Sequence, residues 1–126
     1  MNKKARMIWR GLAHPIKALS FSLDGLVSTM RDEIAFRHEL ILGAVHLLAV
    51  FWVEMPLGAR LCLALAWFLL VAAELLNTAI EALTDKVSPE WNVLAKRAKD
   101  CGSAAVACVL AGLFVLWACV IASKVM

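Results

Sequence analysis

From Cys101 to Ser123 the chain runs 23 residues without a formally charged side chain, and that run decides the class of fold. At ~1.5 Å per residue a helix of this length crosses ~30 Å of hydrocarbon, where every backbone amide needs an internal partner. Its small residues (Gly102, Ser103, Ala104, Ala105, Ala107, Ala111, Gly112) suit close helix packing. Two further apolar segments precede it. One leads from Leu57 through Leu61–Ala73 into Glu74, and the other covers Ile34 to Val53, with Arg37, His38 and Glu39 in its leading turns. The chain is 63% hydrophobic with a mean hydropathy of +0.80, above the about 45–50% apolar content of a soluble domain. The expected fold is all-α and integral to the membrane, a single domain over 1–126. It has a surface helix at about 5–30 and spans at about 34–53, 57–84 and 101–123.

The surface helix carries Met7, Ile8, Leu12, Ile16, Leu19, Leu23 and Leu26 at roughly helical spacing, with Pro15 as the place for a break. No cleavable signal pattern follows the basic N-terminus. Ser88-Pro89 reads as the cap and first turn of a further cytoplasmic helix. Cys62, Cys101, Cys108 and Cys119 lack metal-ligand spacing and are expected to be small, buried and unpaired.

Basic residues orient the spans. Lys3, Lys4, Arg6, Arg10, Lys17 and Arg31 precede the first, and Lys86, Lys96, Arg97 and Lys99 separate the second from the third. The other turn has only Arg60 and the tail only Lys124. The positive-inside rule puts the N-terminus and the Lys86–Lys99 connection in the cytoplasm. The net charge of +3 is modest, and no nucleic-acid partner is expected.

Chemistry is concentrated in the second span. An acid at bilayer depth costs roughly 2.5–3.5 kcal/mol by insertion scales, so Glu74 marks a functional site. Glu74, Asn77, Glu81 and Asp85 fall within roughly 80° on one helix face. A buried carboxylate is suited to act as a general base. Glu81, ~10.5 Å nearer the cytoplasm, suits a hydrated divalent cation that takes one or two carboxylates plus phosphate oxygens. Asp32-Glu33, at the head of the first span, is the nearest source of a second carboxylate, and Lys99-Asp100 offers a cation for phosphate. No Gly-rich phosphate loop is present, which excludes the ordinary nucleotide-binding folds.

The segment Ala73-Glu74-Leu75-Leu76-Asn77-Thr78-Ala79-Ile80-Glu81-Ala82-Leu83-Thr84-Asp85, followed by Arg97-Ala98-Lys99-Asp100-Cys101-Gly102-Ser103-Ala104-Ala105-Val106, resembles the prokaryotic diacylglycerol kinase family. Asp32-Glu33-Ile34-Ala35-Phe36-Arg37-His38-Glu39 is similar to that family's upstream motif, and the likeness runs from about Ser20 to Val106 in one register. The resemblance implies a homotrimer of three-span subunits in the bacterial inner membrane, phosphorylating a lipid alcohol with Mg²⁺-ATP. It implies Glu74 as base with Asn77 beside it, and Glu33 and Glu81 as metal carboxylates. It implies nucleotide contacts from His14, Phe21, Glu33, Glu81, Asp85, Glu90, Trp91, Asn92, Lys99 and Asp100. Ala35, Phe36, Arg37, His38, Glu39, Trp52, Val53, Glu54, Met55, Arg60, Glu74 and Ser103 match positions lining the lipid site.

The chain departs from the family near its start. His14 replaces an Arg and Phe21 a Tyr, while Leu23, Asp24 and Val27 replace a Trp, a basic residue and an Arg. Cys101-Gly102-Ser103-Ala104-Ala105 looks more like the diacylglycerol-specific members than the undecaprenol kinases. The rival readings are an undecaprenol kinase and, more remotely, a small oligomeric ion or proton pathway through Glu74 and Glu81.

Overall fold

The computed structural model describes residues 3–125, with side chains described from Lys17 onward. Contacts divide the chain into two compact units, Met1–Ile34 and Ala35–Met126. The first is α1, Lys3–Asp32, helical straight through Pro15, so the expected break does not occur. Its hydroxyls are satisfied within the helix: Ser20 donates to the Lys17 carbonyl (2.8 Å), Ser22 to Ala18 (3.0 Å), and Ser28 and Thr29 to Gly25 (3.0 and 2.9 Å). An interfacial helix gains from such bonds because its side chains then bring no unmet donors to the lipid boundary.

The second unit is built from α2 (Ile34–Trp52), α3 (Leu57–Val87) and α4 (Val93–Val125). All three are long and apolar enough to cross a membrane, as expected. Only 17%, 17% and 11% of their most apolar windows are buried inside the protein, so most of the apolar surface is left for lipid or further copies. The buried residues repeat by the heptad on α2 (Phe36, Gly43, Val50), by steps of four and three on α3 (Leu63, Trp67, Leu70), and after five turns on α4 (Gly102, Val120). That spacing is the seam of helices packed side by side. Val50, Leu63 and Val120 form the core at one end, with Leu113, Leu116 and Trp117 against them.

Prolines set two of the boundaries. Pro56 precedes α3 with φ −57° and ψ 145°, and its carbonyl accepts from Arg60 at 3.1 Å. Pro89 keeps Ser88 out of the helical region (φ −134°, ψ 75°), so α3 ends at Val87 and the Ser88 N–H closes onto the Thr84 carbonyl at 2.8 Å. Ser88 is therefore a C-cap, and Ser88-Pro89 does not open a helix. The N-cap of α4 is Asn92, whose Oδ1 accepts from the Leu94 and Ala95 amides at 2.8 and 3.3 Å. From Val93 the helix runs without interruption into the third span, two turns earlier than the span itself begins.

At ~1.5 Å per residue the 31 residues of α3 and 33 of α4 are far longer than the hydrocarbon is thick. Their shared end at Ser88–Asn92 projects beyond it. The four cysteines are unpaired as expected, but exposed on the outer faces of the helices rather than buried, because large residues such as Leu63, Trp67 and Trp117 occupy the seam.

Candidate active site

The polar track along α3 begins at Glu74, which is half-buried. It lies near enough to Glu39 of α2 for the two charges to interact. Both carboxylate oxygens of Glu39 are enclosed and have no hydrogen-bond partner among the described residues. When ionised, the Glu39 carboxylate accepts and never donates, so its two enclosed oxygens call for an O–H or N–H donor.

One turn further on, Asn77 donates from Nδ2 to Glu81 Oε1 at 3.1 Å. Its Oδ1 is enclosed without a hydrogen-bond partner among the described residues and lies where a Cβ on Gly102 would stand. Gly102 thus gives Asn77 room at the α3–α4 seam. Thr84 donates back to the Ile80 and Glu81 carbonyls at 2.8 and 2.9 Å, which keeps its hydroxyl on the helix beneath Glu81.

Where α3 and α4 leave the membrane, a hollow of about 370 Å³ opens between their ends. It is lined by Asp85, Ser88–Asn92, Ala95, Lys96, Lys99 and Asp100. Lys99 Nζ is 2.5 Å from Asp85 Oδ1, across the two helices, and Lys96 Nζ is 2.5 Å from Asp100 Oδ2 along α4. Trp91 at the lip is 82% exposed, leaving its indole face open for stacking. Asp85, Glu90, Trp91, Asn92, Lys99 and Asp100, six residues expected at the nucleotide, therefore line one cavity. Asn92 has its side-chain oxygen committed to the helix cap.

The remaining expected residues are spread along the bundle. Ala35, Arg37 and His38 are exposed and Phe36 is buried, all in the first turns of α2 with Glu39. Trp52, Val53, Glu54 and Met55 sit at the other end of α2, Trp52 being ~20 Å along the axis from Glu39. Arg60 joins that second group, with Nη2 3.5 Å from the Val53 carbonyl and its Nε enclosed without a partner among the described residues. The twelve lipid-site positions thus form two groups, one toward each end of the bundle. Ser103 is exposed beside Gly102. Glu33 and Phe21 belong to the first unit: Glu33 is half-buried at the end of α1, its N–H donating to the Thr29 carbonyl at 2.9 Å, and the Phe21 ring is exposed. His14 lies outside the residues whose side chains are described.

Among the described residues no three His, Cys, Asp or Glu side chains gather tightly enough to hold a metal by themselves. The Glu81 carboxylate is nonetheless a hard-oxygen donor of the right kind, and Mg²⁺ takes few protein ligands beside phosphate and water.

The model of the prokaryotic diacylglycerol kinase family matches residues 20–121, from the middle of α1 to the last turns of α4. The chain belongs to this family. It is 38% identical over 111 residues to the diacylglycerol kinase of Pseudomonas aeruginosa, covering 88% of this chain and 90% of that one. It is 40% identical over 100 residues to the Sinorhizobium diacylglycerol kinase (79% and 72% covered). The Escherichia coli K12 diacylglycerol kinase is 34% identical over 107 residues (85% and 88%). The resemblance drawn from the α3 and α4 motifs holds across the whole membrane unit.

Within this diacylglycerol kinase fold, two features are not legible in the sequence motifs. Lys96 lines the hollow and pairs with Asp100, though its place in the chain marks it only as an orienting charge. His46 hydrogen-bonds within the bundle. A His inside an otherwise apolar span is an ionisable group at membrane depth, and that is the signal by which sequence alone could find it.

Proposed function

We propose that the protein is an ATP-dependent diacylglycerol kinase of the bacterial inner membrane, transferring the γ-phosphate to the lipid 3-hydroxyl to give phosphatidic acid. The observation that carries this reading is the continuity of the α3 polar track, from the Glu39–Glu74 carboxylates inside the bundle to the lysine-bearing hollow outside it. The N-terminus and the Ser88–Asn92 end face the cytoplasm, where ATP is available.

The lipid hydroxyl enters laterally and donates to Glu74. As its oxygen bonds to the γ-phosphorus, the proton passes to the Glu74 carboxylate and the bond to the ADP oxygen breaks. Asn77 holds Glu81 through its 3.1 Å bond. Lys99 exchanges Asp85 for phosphate oxygens, adding positive charge where negative charge builds up. The hollow alone holds two lysines against Asp85, Glu90 and Asp100, so a polyphosphate needs further positive charge to settle there. Mg²⁺, held by Glu81 and the phosphates, would supply that charge, with Glu33 the further carboxylate that the family resemblance implies. Trp91 offers a face to the base. Homotrimeric assembly fits the large apolar surface left uncovered by one subunit.

The test is phosphate transfer from γ-labelled ATP by the purified protein to diacylglycerol and, in parallel, to undecaprenol. Preferential labelling of diacylglycerol, dependent on Mg²⁺, is expected. Labelling of undecaprenol alone would make it the other kind of lipid kinase. Ion flux through liposomes without ATP, and no labelling of either lipid, would overturn the kinase reading.

A further inference from the structure

His46 of α2 stands at the meeting point of all three spans. Its Nε2 lies 3.2 Å from the Leu63 carbonyl oxygen of α3, and its Nδ1 accepts a 3.1 Å hydrogen bond from Trp117 Nε1 of α4. An indole nitrogen only donates and a carbonyl only accepts, so the partners dictate the ring: Nδ1 bare, Nε2 carrying the proton, no net charge. The Trp67 ring lies tilted at 6.0 Å and the Trp117 ring edge-on at 5.8 Å from the half-buried imidazole.

The contacts between α2 and α3 advance in antiparallel register. Glu39 meets the charge of Glu74, Gly43 lies against the Trp67 indole where no Cβ would fit, and His46 reaches Leu63. Along this seam His46 supplies directional bonds from α2 to both of its neighbours. Direction matters here because apolar helices in lipid gain nothing from hydrophobic association, and their height and rotation are left to packing and hydrogen bonds. Glu39 precedes His46 by one heptad, on the same face and ~10.5 Å away along the axis.

We propose that His46 is a positioning residue, whose bonds to Leu63 and Trp117 fix the height and rotation of α2 and so hold Glu39 beside Glu74. The role rests on the kinase reading, in which Glu74 receives the lipid proton. It acts on the lipid end of the site and leaves the nucleotide hollow, built only from α3, α4 and their connection, untouched.

The test uses full-length protein in lipid nanodiscs, comparing His46→Leu, His46→Gln and Trp117→Phe. Three quantities are read: kcat with diacylglycerol, KM for ATP, and the indole N–H resonance of Trp117, assigned by its loss in Trp117→Phe. In His46→Leu the kcat is expected to fall about 10- to 100-fold with ATP KM unchanged, and the indole resonance to shift. His46→Gln, whose amide offers one donor and one acceptor, restores most of the rate. A wild-type kcat in His46→Leu despite a shifted resonance overturns the role, as does a parallel loss of ATP affinity. Should His46→Leu fail to fold, His46→Gln and Trp117→Phe decide: the role requires an active first variant and a slowed second one. A wild-type protein that transfers no phosphate overturns the kinase reading itself, and this role with it.

Discussion

Gly102 of α4 has no Cβ where Asn77 of α3 needs the space, and through that gap Asn77 keeps its hold on Glu81. The small residue and the polar residue are a single device: one lets the helices close, the other orients the carboxylate. Gly102→Ala should push Asn77 out of place. The expected cost is about 1–3 kcal/mol of stability, with kinase activity falling further than the loss of folded protein explains. Thermal unfolding and specific activity of the same preparation check it.

Gly43 and Trp67 make the corresponding contact between α2 and α3. Gly43→Leu should displace α2 and lower kcat with the lipid, while nucleotide binding at the α3–α4 end persists. Equilibrium binding of a fluorescent ATP analogue, set beside the turnover rate, separates the two effects.

Lys99 is held by Asp85 across the hollow. Lys99→Met removes the lysine that bridges α3 and α4 there, and a rise of at least about tenfold in ATP KM or an equal fall in kcat is expected, since hydrogen bonds to charged groups are worth roughly 1.5–3 kcal/mol. Lys96→Met leaves that bridge intact. Its exposed pair with Asp100 adds little to stability, so the melting temperature should not move. Steady-state kinetics over a range of ATP concentrations and a thermal scan check both variants.

Asn92 caps α4. Asn92→Ala should cost about 0.5–2 kcal/mol, and Asn92→Asp or Asn92→Ser should recover it. Because the cap consumes the side-chain oxygen, ATP KM should be nearly the same in Asn92→Ser as in the unaltered protein. Kinetics and melting curves on the three variants decide whether Asn92 serves the helix or the nucleotide.

The spans were legible because their signal is additive: each apolar residue in Cys101–Ser123 contributes to the same conclusion, and one misread residue changes nothing. The α3 track was legible because acids at helical spacing inside an apolar run are too costly to persist without a use. The start of α4 was misplaced because Ser88-Pro89 and Asn92 both carry cap chemistry, and only the backbone at Ser88, turned extended by Pro89, selects Asn92. The outward cysteines and the Gly43–Trp67 and Gly102–Asn77 contacts depend on which face of each helix meets its neighbour. Nearly uniform apolar spans such as α2 and α4 carry little record of that. His46 went unread because its meaning comes from Trp117, a contact 71 residues distant in sequence.

The most direct measurement is the rate of phosphate transfer from ATP to diacylglycerol by Glu74→Gln, made with its ATP affinity and helical content. Glutamine fills the same space but takes up no proton, so turnover should fall about 10²- to 10⁴-fold with fold and ATP binding kept. A near-normal rate in Glu74→Gln would contradict the assignment of proton transfer to the acid inside α3.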